Sequence, residues 1–342
     1  MKSRIKELDA LRGIASFAVV IHHYSGNPEI ALFNFKYGAM GVELFFIISG
    51  FVIFKTIENS KKWQDFVISR FSRLYPTFWA CLFITTILVL ISNYFGQYFY
   101  KSISHKEMLA RFLSNFTMFQ YFFKQTNIDP VYWTLTIELV SYIIVLILYV
   151  TNTLKNIKSI GMALLIFSFI LSLGIFEKSA FISKLLFFIP IIIYFPLFFT
   201  GILAYNIKIK NETKLNYILI TICLIVQSLL YRYTMASIHL NYNEYIIVLI
   251  LIYLVITLFI EDKLSFIVNK LTIKLGDISY SLYLSHFYIG CAIILPGLVN
   301  RLEISYWIAL IIAICVSLLL ANYINKYIEK PAIKLIRNKY NK

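Results

Sequence analysis

The sequence predicts an all-α, polytopic integral membrane protein with about ten transmembrane helices and both termini cytoplasmic. Three observations carry this reading. Of 342 residues, 60% are hydrophobic and only 14% are charged, whereas a soluble domain is about half apolar and about a quarter charged. The apolar residues fall in runs of the length that crosses a hydrocarbon core, about 18 or more. The 32 Lys+Arg outnumber the 17 Asp+Glu, and they collect in every second loop, as the positive-inside rule expects. A soluble enzyme, a disordered tail and a disulfide-knotted secreted module are excluded, because a soluble surface of this size needs more charge.

Ten spans are read, at roughly 8–24, 38–57, 74–95, 132–150, 160–176, 185–205, 215–231, 244–260, 276–295 and 305–323. The first follows Arg4, Lys6 and Arg12 like a secretory signal. Its apolar run ends in His22-His23-Tyr24 with no small-residue cleavage site, so it reads as a retained span. With the N-terminus inside, the inner segments hold 22 Lys+Arg and the outer ones 9, with Lys55 in the second span. The formal charge of +15 is therefore a topology signal and not a mark of nucleic-acid binding. No repeat or separate soluble domain is visible, so residues 1–342 read as one membrane-embedded domain. The longest outer segment, 96–131, contains FLSNFTMFQYFF, too short to span and suited to a re-entrant or interfacial position. Cys81, Cys223, Cys291 and Cys315 sit in apolar stretches without CxxC spacing. They read as inert buried thiols, and no metal site is expected.

Ionisable groups inside lipid are costly and tend to mark function. In the first span, Arg12 and His23 are eleven residues apart, which returns to nearly the same helix face about 16 Å further along the axis. His22 points about 100° away, so either histidine could serve as the pocket residue. Glu43 lies near the outer end of the second span and Glu138 near the outer end of the fourth. His23, Glu43 and Glu138 thus share the outer half of the bilayer, the residue types for general acid–base work on a hydroxyl; a plain interhelical polar contact is the simpler alternative. Arg70 and Arg73 precede the third span at i and i+3, placed to grip phosphate if a helix starts there. Pro76 follows as a candidate kink. The ninth span, LGDISYSLYLSHFYIG, sets Tyr280, Tyr283 and His286 on one stripe at helical spacing.

These motifs resemble acyltransferase family 3 of integral membrane proteins. LDALRG with Arg12-x10-His23 is similar to the family's opening Arg-x10-His motif. GVELFFIISGF (41–51) is similar to its second-helix signature, Arg70-x2-Arg73 with LYP to its Arg-x-x-Arg motif, and SYSLYLSH, ending at His286, to its late helix. WTLTIE (133–138) and Glu329-Lys330-Pro331 are weaker matches. The resemblance implies an O-acyltransferase that moves an acyl group, usually acetyl, from cytoplasmic acetyl-coenzyme A or another acyl-coenzyme A to a carbohydrate hydroxyl. It implies His23 as the catalytic base and Arg12, Arg70 and Arg73 in donor binding. Glu43 and Glu138 are expected to support His23, and Trp133, Tyr283 and His286 to line the substrate pocket. The expected acceptor is an envelope glycan such as O-antigen, capsule, exopolysaccharide or peptidoglycan. The expected location is the bacterial cytoplasmic membrane. The expected form is the stand-alone one, without a C-terminal esterase-like domain. A non-catalytic glycan exporter is the alternative, compatible with ten spans and with Pro190 and Pro196 in the sixth.

Overall fold

The computed structural model describes residues 4–94, 104–174 and 190–340. Helices and short turns make up these segments, with no β-strand among the described residues. Eight helical stretches are long and apolar enough to span a membrane. They match eight of the ten expected runs. Two depart from expectation for physical reasons. The first run is helix α1 (Lys6–Ser25), but Lys6, Glu7, Asp9 and Arg12 dilute its apolar character. The seventh is α8 (Lys214–Leu229), only 16 residues, or about 24 Å, short of the roughly 30 Å core. Parts of the fifth and sixth expected spans, 175–176 and 185–189, lie outside the described residues.

The chain divides into two compact units, each built from discontinuous segments. The first comprises 1–15, 39–66 and 137–276. Within it α2 (Gly41–Glu58) packs on α7 (Phe195–Lys210). Two glycines permit that approach: a Cβ on Gly50 would lie 2.0 Å from the Phe198 carbonyl oxygen, and one on Gly201 would lie 2.0 Å from that of Ile47. Close backbone packing of this kind holds helices together where the hydrophobic effect between them is absent. Phe51, Phe54, Tyr205 and Phe259 fill the layer beside it in edge-to-face contacts. Helix α9 (Tyr242–Ile260) starts at a capping box in which Asn241 and Glu244 satisfy each other's backbone N–H. Its Ile247, Ile250, Leu251 and Leu254 are exposed, a lipid-facing stripe. Helices α5 (Trp133–Val150) and α6 (Ile157–Ser172) join through a short turn.

The second unit comprises 16–38, 67–136 and 277–342. It includes most of α3 (Trp63–Tyr94), the short α4 (His105–Phe116), most of α10 (Lys270–Phe287), α11 (Tyr306–Ile324) and α12 (Lys330–Tyr340). Its core gathers Val20, Tyr24, Leu282, Leu295, Tyr306, Ala309 and Leu310. Helix α4 occupies part of the expected interfacial segment and is capped by Ser104, whose side chain accepts from the Glu107 N–H.

Helix α3 corrects one expectation. It begins at Trp63 and runs for 32 residues, about 48 Å. Arg70 and Arg73 therefore lie about two to three turns inside a helix and not at its N-terminus. No helix-end partial charge is available to them, and any grip on an anion comes from the guanidinium groups. Pro76 lies within the same helix. The cysteines also differ from expectation: all four are free, but only Cys81 and Cys223 are buried, Cys291 is half-buried and Cys315 is exposed. Cys315 lies on α11, where Ile308, Ile311 and Leu319 are exposed too, so an apolar thiol there meets lipid.

Candidate active site

The second unit brings His23, from the C-terminal end of α1, onto His286, from the end of α10. His23 Nδ1 lies 2.8 Å from His286 Nε2, and the rings stack with centroids 5.1 Å apart. His286 is fully buried and His23 half-buried. The other nitrogen of His286, Nδ1, lies 3.0 Å from the carbonyl oxygens of both Leu282 and Tyr283. Carbonyl oxygens only accept, so Nδ1 of His286 carries the proton and Nε2 offers a lone pair. His23 then donates from Nδ1, which makes its Nε2 the basic nitrogen. The local sequence fixes this arrangement, because a helical residue's side chain reaches back over the preceding turn toward the i−3 and i−4 carbonyls.

The neighbours of the pair hold its backbone. Tyr24 donates its hydroxyl to the His286 carbonyl oxygen at 3.0 Å, and its oxygen meets the Ser317 hydroxyl. Cys291 Sγ points at the His23 carbonyl oxygen. Phe287 stands edge-on to the His23 ring. Beyond His286 the helix widens into a π-helical stretch, Tyr288–Ile294, a feature often found at functional sites. The Tyr288 N–H, displaced from the regular ladder, donates to Asp129 Oδ2 at 3.2 Å, and Val131 N–H donates to Asp129 Oδ1. His22 is buried, with its ring 5.1 Å from that of His23. The two histidines that the sequence left open thus differ in exposure, His23 being the more exposed.

The stripe seen in the sequence is used along its whole length. Tyr280 donates to the Leu74 carbonyl oxygen at 3.0 Å. Tyr283 donates to that of Val131 at 3.2 Å and contacts the Thr134 hydroxyl at 3.0 Å. Trp133, the first residue of α5, is half-buried.

A basic cluster from α3 and α12 meets α10 near Tyr280 and Ser281. Arg73 pairs with the fully buried carboxylate of Glu329, which also accepts from Ser281 at 2.7 Å. The Arg73 guanidinium lies over the Tyr280 ring. Arg337, from α12, donates to Ser72 and Ser69 and lies within electrostatic range of Arg70 and Arg73. Ser281 and His286 are five residues apart on α10, about 7.5 Å along the axis. The Ser281–Glu329 contact and the imidazole pair are therefore attached to α10 at that spacing, while the guanidinium groups themselves stand on α3 and α12.

The remaining sequence candidates lie in the first unit. Arg12 sits 3.8 Å from Asp9, which also binds Arg4. Glu43 is buried in the first turn of α2, and its Oε2 has no hydrogen-bond partner among the described residues. Glu138 accepts from Tyr142 at 2.6 Å and from Ser49 at 3.3 Å. Sequence reasoning gave no role to Glu329, Arg337, Ser281 or Asp129. Glu329 carried a signal, an acid among basic residues in a motif already noted. The other three carried none. Among the described residues no cluster of His, Cys, Asp and Glu is arranged to hold a metal ion.

A paired imidazole site and a group of arginines, on a scaffold of membrane-length helices, define a multi-pass membrane protein with a polar interior. The chain belongs to acyltransferase family 3, whose acyltransferase domain matches residues 5–325. It is 26% identical over 335 residues to the O-acetyl transferase of Shigella phage Sf6, covering 94% of each chain. It is 27% identical over 292 residues to ORF330 of Acidianus two-tailed virus, a protein named provisionally as an acetyltransferase, covering 81% of this chain and 80% of that one. A shorter match, 28% over 152 residues, links it to nodulation protein 10 of Rhizobium leguminosarum bv. viciae. No solved structure matches it significantly. Family membership makes the chain an acyltransferase and sets the exporter reading aside.

Proposed function

We propose that the protein is an O-acetyltransferase that moves acetyl from cytoplasmic acetyl-coenzyme A, or a related acyl-coenzyme A, to a hydroxyl of an envelope carbohydrate, with His23 as general base. The observation that carries this reading is the 2.8 Å contact between His23 Nδ1 and His286 Nε2. It supports a base on the more exposed ring and an orienting part for the buried one.

In this reading His23 Nε2 takes the proton of the acceptor hydroxyl as its oxygen attacks the thioester carbonyl. The carbon–sulfur bond breaks, acetyl stays on the sugar oxygen, and the coenzyme A thiolate takes the proton from His23. His286 holds the tautomer and accepts from the imidazolium, the part played by the third member of a catalytic triad. Arg70, Arg73 and Arg337 receive the donor's phosphates, and Arg12 assists donor binding. Trp133 and Tyr283 line the acceptor pocket. Glu43 and Glu138 act as supporting acids, whose loss as Glu43→Gln or Glu138→Gln lowers transfer less than loss of His23. The cytoplasmic membrane, with both termini inside, is the location this donor requires.

The test is transfer of labelled acetyl by protein in nanodiscs, with surface-glycan acetyl content measured by mass spectrometry in cells with and without the gene. His23→Ala is expected to abolish transfer while the protein still inserts and folds, and His22→Ala to be milder. Near-full acetylation by His23→Ala would overturn the assignment of the base.

A further inference from the structure

In the first unit, α5 and α6 enclose an intramembrane cavity of about 220 Å³ against α2 and α7. On α5 its wall is Ser141, Ile144, Val145 and Leu148; on α6 it runs from Ile157 through Leu164 to Ser168. Both sets follow helical spacing, so each is one continuous face. The wall is apolar. Its two hydroxyls are turned away to the chain itself, Ser141 to the Glu138 carbonyl oxygen and Ser168 to that of Ile192. Such a cavity offers water nothing to bond and takes hydrocarbon instead.

Its length and its end select the hydrocarbon. From Ile157 to Ser168 the face extends eleven residues, about 16 Å. That is about half of the roughly 30 Å hydrocarbon core, the reach of one leaflet's acyl chain. The chain that links Leu148 to Ile157 lines, together with the 61–64 segment, an open hollow of about 550 Å³ whose lining includes Lys61, Lys62, Trp63, Tyr149 and Lys155. No carboxylate is among its described lining residues. Three ammonium groups with a Trp and a Tyr form the kind of interfacial belt that meets an anionic headgroup.

We propose that this slot and hollow form a binding site for one anionic phospholipid of the inner leaflet, its acyl chain between α5 and α6 and its phosphate at Lys61, Lys62 and Lys155. The proposal is independent of the acyl-transfer chemistry.

The test uses full-length protein in nanodiscs containing phosphatidylglycerol or phosphatidylcholine with a diazirine in the chain, followed by mass-spectrometric mapping of adducts. Adducts are expected on the peptides bearing Ile144–Leu148 and Ile157–Leu164, with phosphatidylglycerol favoured by about tenfold or more, given about 1 kcal/mol per surface lysine. Lys61→Glu/Lys62→Glu/Lys155→Glu should bring the two lipids level. Leu164→Phe should lower adducts of both. Equal labelling by both lipids in the parent protein would overturn the proposal. So would slot labelling no greater than that of the exposed Ile250–Leu254 face of α9. The charge-reversal variant alters only the rim, so it keeps the test decisive if Leu164→Phe fails to fold.

Discussion

His23 Nδ1 and His286 Nε2 meet at 2.8 Å although 263 residues separate them in the chain. The buried member is locked by the two carbonyl oxygens at its far nitrogen. Its loss should therefore act on the state of His23 more than on substrate affinity. His286→Ala is expected to lower kcat by about 10²-fold or more, the usual worth of a positioned base, with little change in KM. His286→Gln, whose amide oxygen can occupy the Nε2 position, should recover part of the rate. Steady-state kinetics of the two variants check this. Equal loss in both, matched by loss of folded protein, would reduce His286 to a packing residue.

The spans were legible in the sequence because lipid demands a continuous apolar run, and α9 and α11 supply it without interruption. The start of α3 was not legible as part of a span: its first turns, WQDFVISRFSR, are amphipathic, with Trp63, Phe66, Val67 and Phe71 at helical spacing but Gln64, Asp65, Arg70 and Arg73 between them, so the continuous apolar run starts only later. The candidate residues His23 and His286 were each visible as polar groups in lipid. Their pairing was not, since helix spacing relates residues within one helix and says nothing of which helices meet. Glu329 was hidden for the same reason. Its partners, Arg73 and Ser281, lie on two other helices.

The Arg73–Glu329 pair has a fully buried carboxylate. Removing either partner leaves charge without its counter-ion, which typically costs about 3–5 kcal/mol. Glu329→Met and Arg73→Met are each expected to lower thermal stability in detergent markedly. The double variant should be more stable than additivity of the two losses predicts, because apolar groups replacing both partners of a buried pair are often tolerated. Strict additivity in the cycle would mean that the pair does not couple.

Gly290 is the point at which the π-helical stretch touches the Tyr24 ring. A Cβ there would lie 2.2 Å from ring atoms and 2.3 Å from the hydroxyl oxygen. Gly290→Ala must displace Tyr24, and with it the hydroxyl that holds the His286 carbonyl oxygen. Overpacking of this kind costs about 1–3 kcal/mol, and transfer should fall with it. Tyr24→Val gives up that hydrogen bond but makes room. Gly290→Ala should therefore cost less stability in the Tyr24→Val background than in the parent, as measured by thermal unfolding. An equal cost in both backgrounds would place the clash elsewhere.

Arg337 reaches the basic cluster from the last helix, where it shares Ser69 and Ser72 with the Arg70/Arg73 segment of α3. Arg337 lies within electrostatic range of Arg70 and Arg73, and like charges held close together favour a polyanionic ligand end over a neutral one. Arg337 bonds to Ser69 and Ser72 on α3, so in the proposed reading it would meet the donor at its phosphates and not at its reacting thioester. Arg337→Ala is thus expected to raise KM for acetyl-coenzyme A by about tenfold, the worth of one charged hydrogen bond, while kcat stays near its parent value. Binding of coenzyme A by calorimetry should weaken in parallel, and a short acetyl thioester lacking the nucleotide should be used equally well by both proteins. If the variant discriminated against that truncated donor as well, Arg337 would be acting on the chemistry and the placement of the phosphates at this cluster would be wrong.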